Sequence, residues 1–212
     1  MKTVQIKTLI FTTLIALVLS SCTKSSDIAY PTLKKVYFSE TFDYNTTDAS
    51  PNALPSGWTS YAEIGAKLWS KSVYPPPAFP VTKGDGYATF SAYGSGDGAN
   101  VSWLISPSID VDQHEGESLS FQTCHDSYVK NTSNSLEVYI SKDYTGNFGT
   151  AHWTKINYIG TLVWPYTKAY KYVNSGAIDL SLYKGTINFA FKYTGINPST
   201  GAYQVDNVAI VY

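Results

Sequence analysis

The sequence contains no arginine, and its fifteen basic residues, all lysines, are set against sixteen acidic ones. The formal net charge is therefore only -1, and charged residues make up 15% of the chain. Proteins that bind nucleic acid need clustered positive charge to displace counterions, and they use arginine for bidentate contacts with bases. The composition therefore excludes nucleic acid as an expected partner.

Cysteine is also scarce, with two residues in the whole chain. Cys22 follows an apolar stretch, and Cys124 lies in the pattern SLSFQTCH, which is typical of a strand. If Cys22 is lipidated, as argued below, no internal disulfide can form and the fold depends on its core. With 43% hydrophobic and 15% aromatic residues, the chain has enough apolar side chains to build one.

No hydrophobic run is long enough to cross a bilayer, but residues 1–21 have the features of a signal peptide. A short basic region comes first, an apolar segment follows, and the letters LSSC end it at 19–22. This pattern resembles the lipobox of bacterial lipoproteins, in which the cysteine is diacylated before cleavage. The resemblance implies lipidation of Cys22 and attachment to the outer membrane by lipid alone, on either the cell-surface or the periplasmic face. We interpret residues 22–34 as the lipidated cysteine and a flexible stalk. The alternative is an ordinary secretory signal with a chance cysteine.

After the predicted stalk, apolar residues recur with a period of two. In the clearest case, Ile187, Phe189, Phe191 and Tyr193 alternate with other residues, and clusters of Gly, Pro, Asn or Ser bound each such run. Alternation of this kind places one face of a strand in a core, whereas a helix shows a period of 3.6. Many short strands separated by turns predict an all-β fold. We expect residues 35–212 to form one jelly-roll β-sandwich.

A series of short phrases along the chain carries a family resemblance. In order they are LPSGW at 54–58, Trp69, SWLISP at 102–107, SKDYTG at 141–146, Trp153 with Thr154, SGAIDLS at 175–181, AFKY at 190–193 and VDNV at 205–208. Their order and spacing resemble the choice-of-anchor J domain of exported Bacteroidetes proteins, a relative of the cleaved-adhesin domain. The resemblance implies a jelly-roll sandwich of the galactose-binding or MAM type, an extracellular location, and a binding or adhesive role.

Two acidic residues fall on apolar strand faces. Alternation places Glu40 on the side of Phe42. It likewise places Asp206 beside Val208. A carboxylate that faces a core needs a cation, a partner or a proton, and arginine is absent, so we predict that Glu40 and Asp206, with Asp43, hold a structural Ca²⁺. The family resemblance supports this site, since related jelly rolls place calcium between the first and last strands. The alternative is that these acids lie hydrated at strand ends.

The run GSGDGAN at 94–100 has the composition of a calcium loop. It lacks the closing glutamate of an EF-hand, and it lies between two strand patterns. We therefore interpret it as a flexible hairpin loop, with a cation loop as the alternative.

Aromatic residues concentrate in the predicted loops. Trp164 and Tyr166 flank a proline, and Tyr74 and Tyr128 are further loop aromatics. Flat rings stack on the apolar faces of sugars, so these four residues predict a glycan platform. The alternative is that they fold back on the sandwich as packing.

The sequence contains no recognisable set of catalytic residues. Its three histidines lack metal-ligand spacing, GSG is not a nucleophile elbow, and no pair of acids stands out for glycoside hydrolysis. His125 follows Cys124 directly, so the two side chains point to opposite faces of a strand. We therefore expect a non-enzymatic binding module with carbohydrate as the leading ligand. The alternative is an adhesin, or an accessory subunit of a surface complex, that binds another protein.

Overall fold

The computed structural model describes residues 33–43, 50, 52–73, 86–126, 129, 133–159, 169–196 and 201–212. Thirteen β-strands lie in this part of the chain, and its helical content is a single 3-10 turn at Phe148–Thr150. The strands pair in two antiparallel sheets. A helix long and apolar enough to cross a membrane is not found among the described residues.

The first sheet has seven strands, and these are β1 (Val36–Glu40), β3 (Ser70–Ser72), β4 (Tyr87–Ser91), β7 (Ser118–His125), β10 (Val173–Asn174), β11 (Ile178–Asp179) and β13 (Ala202–Val211). Its path runs β10-β7-β13-β4-β3, while β1 pairs with β13 and β11 pairs with β7. The first and last strands of the described chain are therefore neighbours.

The second sheet has six strands, and these are β2 (Thr59–Ile64), β5 (Ala99–Ile105), β6 (Ile109–Asp110), β8 (Ser135–Ser141), β9 (Thr154–Ile156) and β12 (Thr186–Ile196). Its path runs β2-β5-β12-β8-β9, and β6 pairs with the start of β12. The long strand β12 lies at the centre, so its side chains reach both the space between the sheets and the outside.

Large apolar side chains from both sheets meet between them and form what we call the inner core. Its fully buried members include Phe42, Phe90, Leu104, Leu119, Phe121, Val138, Phe189, Phe191, Tyr193, Tyr203, Val205, Val208 and Ile210. Each such ring or aliphatic chain contributes roughly 1.5–3 kcal/mol by leaving water. The alternation predicted for β12 is confirmed, because Ile187, Phe189, Phe191 and Tyr193 are all 0% exposed.

The last strand departs from simple alternation at Asn207. This residue has a positive φ of 49°, and the register between β13 and β7 shifts between Asp206 and Ala209. Because the bulge absorbs one extra residue, Val205 and Val208 both face the inner core although an odd number of positions separates them. The prediction that Asp206 shares a face with Val208 is therefore wrong. Asp206 lies on the outer face of the first sheet.

The fold prediction is confirmed at the level of class, since two antiparallel sheets enclose one core in a jelly-roll β-sandwich. Lys34–Tyr212 form one compact unit. Cys124 is a fully buried free cysteine on β7, and its Sγ donates a hydrogen bond to Gln204 Oε1. The predicted signal peptide, Cys22 and most of the stalk lie outside the described residues.

Candidate functional site

The outer face of the second sheet, which points away from the inner core, carries a row of large and charged side chains. Trp103 on β5 lies opposite Tyr61 on β2 and opposite Lys192 on β12. Lys192 in turn lies opposite Glu137 on β8. Directly opposed residues in antiparallel strands point to the same face. The four residues therefore form one row across four adjacent strands.

An aromatic cluster, which we call the outer cluster, covers part of this row. It draws on β2, β5, β8 and the loop of residues 142–153 between β8 and β9, and its members are Tyr61, Trp103, Tyr139, Tyr144, Phe148 and Trp153. Tyr61 stacks on Phe148 with ring centroids 4.1 Å apart and planes inclined by 19°. Trp103 lies 4.8 Å from Tyr139 and 5.5 Å from Trp153, centroid to centroid. Because Trp103 is 4% exposed and Tyr61 is 40% exposed, the cluster has a buried base and an open edge.

The loop that supplies Phe148 and Trp153 is closed by one carboxylate. The backbone N–H of His152 donates to Asp143 Oδ1 at 2.8 Å, and His152 Nδ1 lies 2.6 Å from Asp143 Oδ2. Ser141 Oγ also donates to Asp143 Oδ1, at 2.8 Å. The hydrogen bonds from His152 and then Ser141 lower the pKa of Asp143 to about 2. The two ends of the loop are thus joined beside the sheet.

Lys192 lies at the centre of the polar part of the row. Its Nζ is 4.9 Å from the centroid of the Trp103 ring, a cation–π distance, and 3.4 Å from Glu63 Oε2. The same Oε2 accepts a hydrogen bond of 2.8 Å from Trp103 Nε1. The side chains of Lys192 and Glu63 are 20% and 39% exposed, so both reach solvent directly beside the rings.

A second charged pair lies beside the first. Glu137 accepts hydrogen bonds from Lys155 Nζ and from the Tyr139 hydroxyl. Burial raises the pKa of Glu137, but these hydrogen bonds and the positive charges of Lys155 and Lys192 outweigh it, so the pKa is lowered. Burial, together with the carboxylate of Glu137, raises the pKa of Tyr139 to about 12. At neutral pH Glu137 is therefore ionised and Tyr139 protonated.

These groups are suited to holding a polar ligand against aromatic rings. The two glutamates offer hydrogen-bond acceptors and the two lysines offer donors, and the four charges sum to zero. A few polar groups around an apolar floor is the usual pattern of a small-ligand site. The general acid of a glycosidase needs a raised pKa, whereas the pKa of Glu137 is lowered. Glu137 therefore lacks the raised pKa that a general acid requires.

Comparison with known proteins finds similarity among solved structures. The K1 cleaved adhesin domain of Lys-gingipain from Porphyromonas gingivalis W83 is 22% identical, covering 82% of this chain and 96% of that one, with a TM-score of 0.46. The K3 domain of the same protein is 19% identical, covering 84% and 100%, with a TM-score of 0.49. TmCBM61, solved in complex with β-1,4-galactotriose, is 13% identical, covering 79% and 97%, with a TM-score of 0.46. No protein-family model and no curated protein matches the chain, so membership of the choice-of-anchor J family stays a prediction.

The aromatic residues predicted to bind ligand from the sequence are not among those just described. Tyr74, Tyr128, Trp164 and Tyr166 all lie outside the described residues. Their role in a glycan platform stays a prediction, and the outer cluster is a second, independent candidate.

Each of the three residues predicted to hold calcium makes a hydrogen bond of its own. Glu40 Oε1 accepts a hydrogen bond of 2.7 Å from the backbone N–H of Phe42, and the carbonyl oxygen of Asp43 accepts one of 3.2 Å from Lys71 Nζ. The carboxylate of Asp206 accepts hydrogen bonds from its neighbour Asn207. In the described part of the chain, no group of three or more His, Cys, Asp or Glu residues is placed to hold a metal. A calcium ion at these residues stays a prediction, and it would depend on carbonyl oxygens and water.

Sequence reasoning missed the outer cluster. The signal was present in β5, where Val101, Trp103 and Ile105 alternate and are all buried, because a strand face this apolar needs a cover. What the sequence does not show is that the loop of residues 142–153 supplies the cover. That contact depends on how Asp143 and His152 close the loop.

Proposed function

We propose that this protein is a non-catalytic binding module of the cell envelope, attached through a lipid at Cys22, that takes carbohydrate on the outer face of its second sheet. The observation that carries the proposal is the meeting of rings and charges on this face. Lys192 and Glu63 reach solvent beside Trp103, and Tyr61 is 40% exposed at the edge of the cluster. The lipobox supports the envelope location.

Each group has a distinct part in binding. The stack on Phe148 fixes the orientation of the Tyr61 ring. A sugar can therefore contact the exposed part of Tyr61 without the cost of first ordering this side chain. Glu63 accepts hydrogen bonds from hydroxyl groups, and Lys192 donates to ring and hydroxyl oxygens. Because the two already form an ion pair with each other, the site favours a neutral sugar over an acidic one.

The test is a glycan array that carries neutral and acidic oligosaccharides, probed with residues 23–212 and followed by calorimetry on any hit. We expect Tyr61→Ala and Lys192→Ala each to weaken binding by about tenfold or more, since central aromatic and charged contacts commonly contribute over 1 kcal/mol. Tyr93→Ala is the matched control, because Tyr93 is 77% exposed and lies outside the outer cluster. Binding that is lost in Trp164→Ala but kept in Tyr61→Ala would place the site in the loop predicted from the sequence and contradict this proposal.

A protein ligand is the second candidate, and one observation favours it. Ile64 pairs with Val101 and Ile196 pairs with Ala99, so an apolar strip continues from Tyr61 along the same face. Both isoleucines are 49% exposed. Charged substitutions at Ile64 and Ile196 should abolish binding of a protein but leave binding of a small glycan intact, because a sugar on Tyr61 does not need the strip.

A further inference from the structure

Strand β2 carries a bulge that turns an acidic side chain onto the outer face. The pairing of β2 with β5 shifts by one residue between Ala62 and Ile64, so Glu63 is an extra residue in the strand. As a result Tyr61, Glu63 and Ile64 all point outward, whereas simple alternation would turn Ile64 inward. A bulge re-aims side chains, and bulges are common beside functional sites. The carboxylate of Glu63 thus reaches the indole and ammonium groups on this face.

The exposed polar groups of the outer face extend across the whole width of the second sheet. In the described part of the chain, β2 and β9 end the path of this sheet, and β5, β12 and β8 lie between them. The groups are Tyr61 and Glu63 on β2, Lys192 on β12, Glu137 on β8 and Lys155 on β9. Adjacent strands lie about 4.8 Å apart, so the axes of β2 and β9 are separated by roughly 19 Å.

The surroundings of this row favour a ligand that lies across the strands over one that lies along them. In one direction along the strands, the loop of residues 142–153 covers the sheet, and the Tyr144 hydroxyl lies 3.5 Å from Thr59 Oγ1. In the other direction the strip continues as Ile64 and Ile196, whose side chains neither donate nor accept hydrogen bonds. Sugar hydroxyls need donors and acceptors, and these lie across the strands.

The charges also alternate across the sheet in the order Glu63, Lys192, Glu137, Lys155. Lys155 Nζ bonds to Glu137 Oε1 as Lys192 Nζ does to Glu63 Oε2, so each pair is held in place before a ligand arrives. A carboxylate has more acceptor sites, and an ammonium more donors, than one partner uses. The face therefore offers acceptor and donor groups in turn, a pattern that suits a ligand built of repeating units.

We infer that the ligand is a chain of about four sugar units that lies across the strands of the second sheet, from Tyr61 to Lys155. The inference rests on the proposed function and adds the size and the direction of the ligand. A pyranose unit advances a chain by about one inter-strand spacing. A single sugar on Tyr61 therefore cannot reach β9, whereas a chain of this length contacts every group in the row.

The experiment is calorimetric titration of residues 23–212 with β-1,4-linked oligosaccharides of glucose, xylose and galactose, from the monosaccharide to the hexasaccharide. We expect the affinity for the sugar that binds to rise by about tenfold or more between the monosaccharide and the tetrasaccharide, since each further unit adds a contact. Beyond the tetrasaccharide the affinity should level off, because the row ends at β9.

Lys155→Ala tests the far end of the row. Lys155 is 51% exposed on an edge strand, so its removal should leave the fold intact. We expect it to weaken binding of the tetrasaccharide by about fivefold or more and to leave binding of the monosaccharide unchanged. Lys184→Ala is the matched control, because it removes the same charge from an exposed position between β11 and β12 and should change neither.

The outcomes separate this inference from the proposed function. If the monosaccharide binds as tightly as the hexasaccharide and Tyr61→Ala abolishes both, the proposed function holds and the inference is wrong. If the affinity rises with length but Ile196→Ser removes the gain and Lys155→Ala does not, the chain lies along the strands, which also contradicts the inference. If no sugar of any length binds, both are overturned. Circular dichroism of each variant separates loss of binding from loss of the fold.

Discussion

Two aromatic clusters lie on opposite faces of the second sheet. They contain the same residue types but have different neighbours. On the inner face, Trp58 packs edge-on against Phe42 at 4.9 Å and against Phe189 at 5.7 Å. On the outer face, Trp103 packs at similar distances against rings but also touches the ammonium of Lys192 and the carboxylate of Glu63. The difference between core and surface therefore lies in the charged neighbours of the rings, and the composition of the chain does not show it.

Exposure separates the inner core from the open edge of the outer cluster, although Trp103 at the base of that cluster is only 4% exposed. Trp58 and Phe189 are 5% and 0% exposed, whereas Tyr61 is 40% exposed. A ring that is closed off on all sides can only stabilise the fold, but a ring with one open edge can also meet a ligand. Substitutions in the inner core should therefore lower stability most, and substitutions at the more exposed edge of the outer cluster should lower it less.

The largest expected effect is that of Phe189→Ala in the inner core. Phe189 touches Phe38, Trp58 and Phe191, and its removal leaves a cavity between the sheets. We expect the free energy of unfolding, measured by urea denaturation, to fall by about 3–5 kcal/mol. Phe189→Leu is the control, since it retains most of the volume and should cost clearly less. A loss below about 1 kcal/mol would show that the inner core repacks freely.

Trp153→Ala tests the outer cluster with a smaller expected loss. Trp153 is half-buried and packs against Trp103 and Tyr144. Because part of its ring is already in water, we expect the free energy of unfolding to fall by about 1–2 kcal/mol in the same assay. A loss as large as that of Phe189→Ala would remove the contrast between the two clusters, since the outer cluster would then be a second core.

The smallest effect concerns the closure of the loop over the outer cluster at low pH. The pKa of Asp143 is lowered from 3.8 to about 2, so the ionised carboxylate stabilises the closed loop above its ordinary pKa. This contribution is lost as the pH falls from about 4 through about 2. We expect NMR titration of the Asp143 carboxyl carbon to give a midpoint near 2, and His152→Ala to raise it toward 3.8. A wild-type midpoint at the ordinary value would mean that Asp143 does not hold the loop.

The inner core was predictable because its pattern is local. A period of two along β12 needs only that one face of the strand is buried, and the four predicted positions are fully buried. The same reasoning failed for Asp206. The bulge at Asn207 reverses the parity of the strand, and the only hint in the sequence is that asparagine tolerates a positive φ better than most residues.

The sites were less predictable than the fold because their members come from distant parts of the chain. The outer cluster needs β2, β5, β8 and the loop of residues 142–153 to meet on one face. The sequence pointed instead to aromatic residues in loops. The run GSGDGAN at 94–100 was predicted to form a hairpin loop, but residues 92–98 cross from the first sheet to the second, because β4 and β5 belong to different sheets.

The sequence by itself determined the β-sandwich class. It also determined that the described residues form no disulfide, since Cys124 is the one cysteine among them. The lack of arginine led to the expectation of a binding module that does not bind nucleic acid. These follow from composition and from alternation between neighbouring residues, which are local properties. The tertiary structure alone decided which tryptophan meets charged groups and where the chain crosses from one sheet to the other. Such contacts depend on strand register and on single bulges, because one inserted residue moves every later side chain to the other face of the sheet.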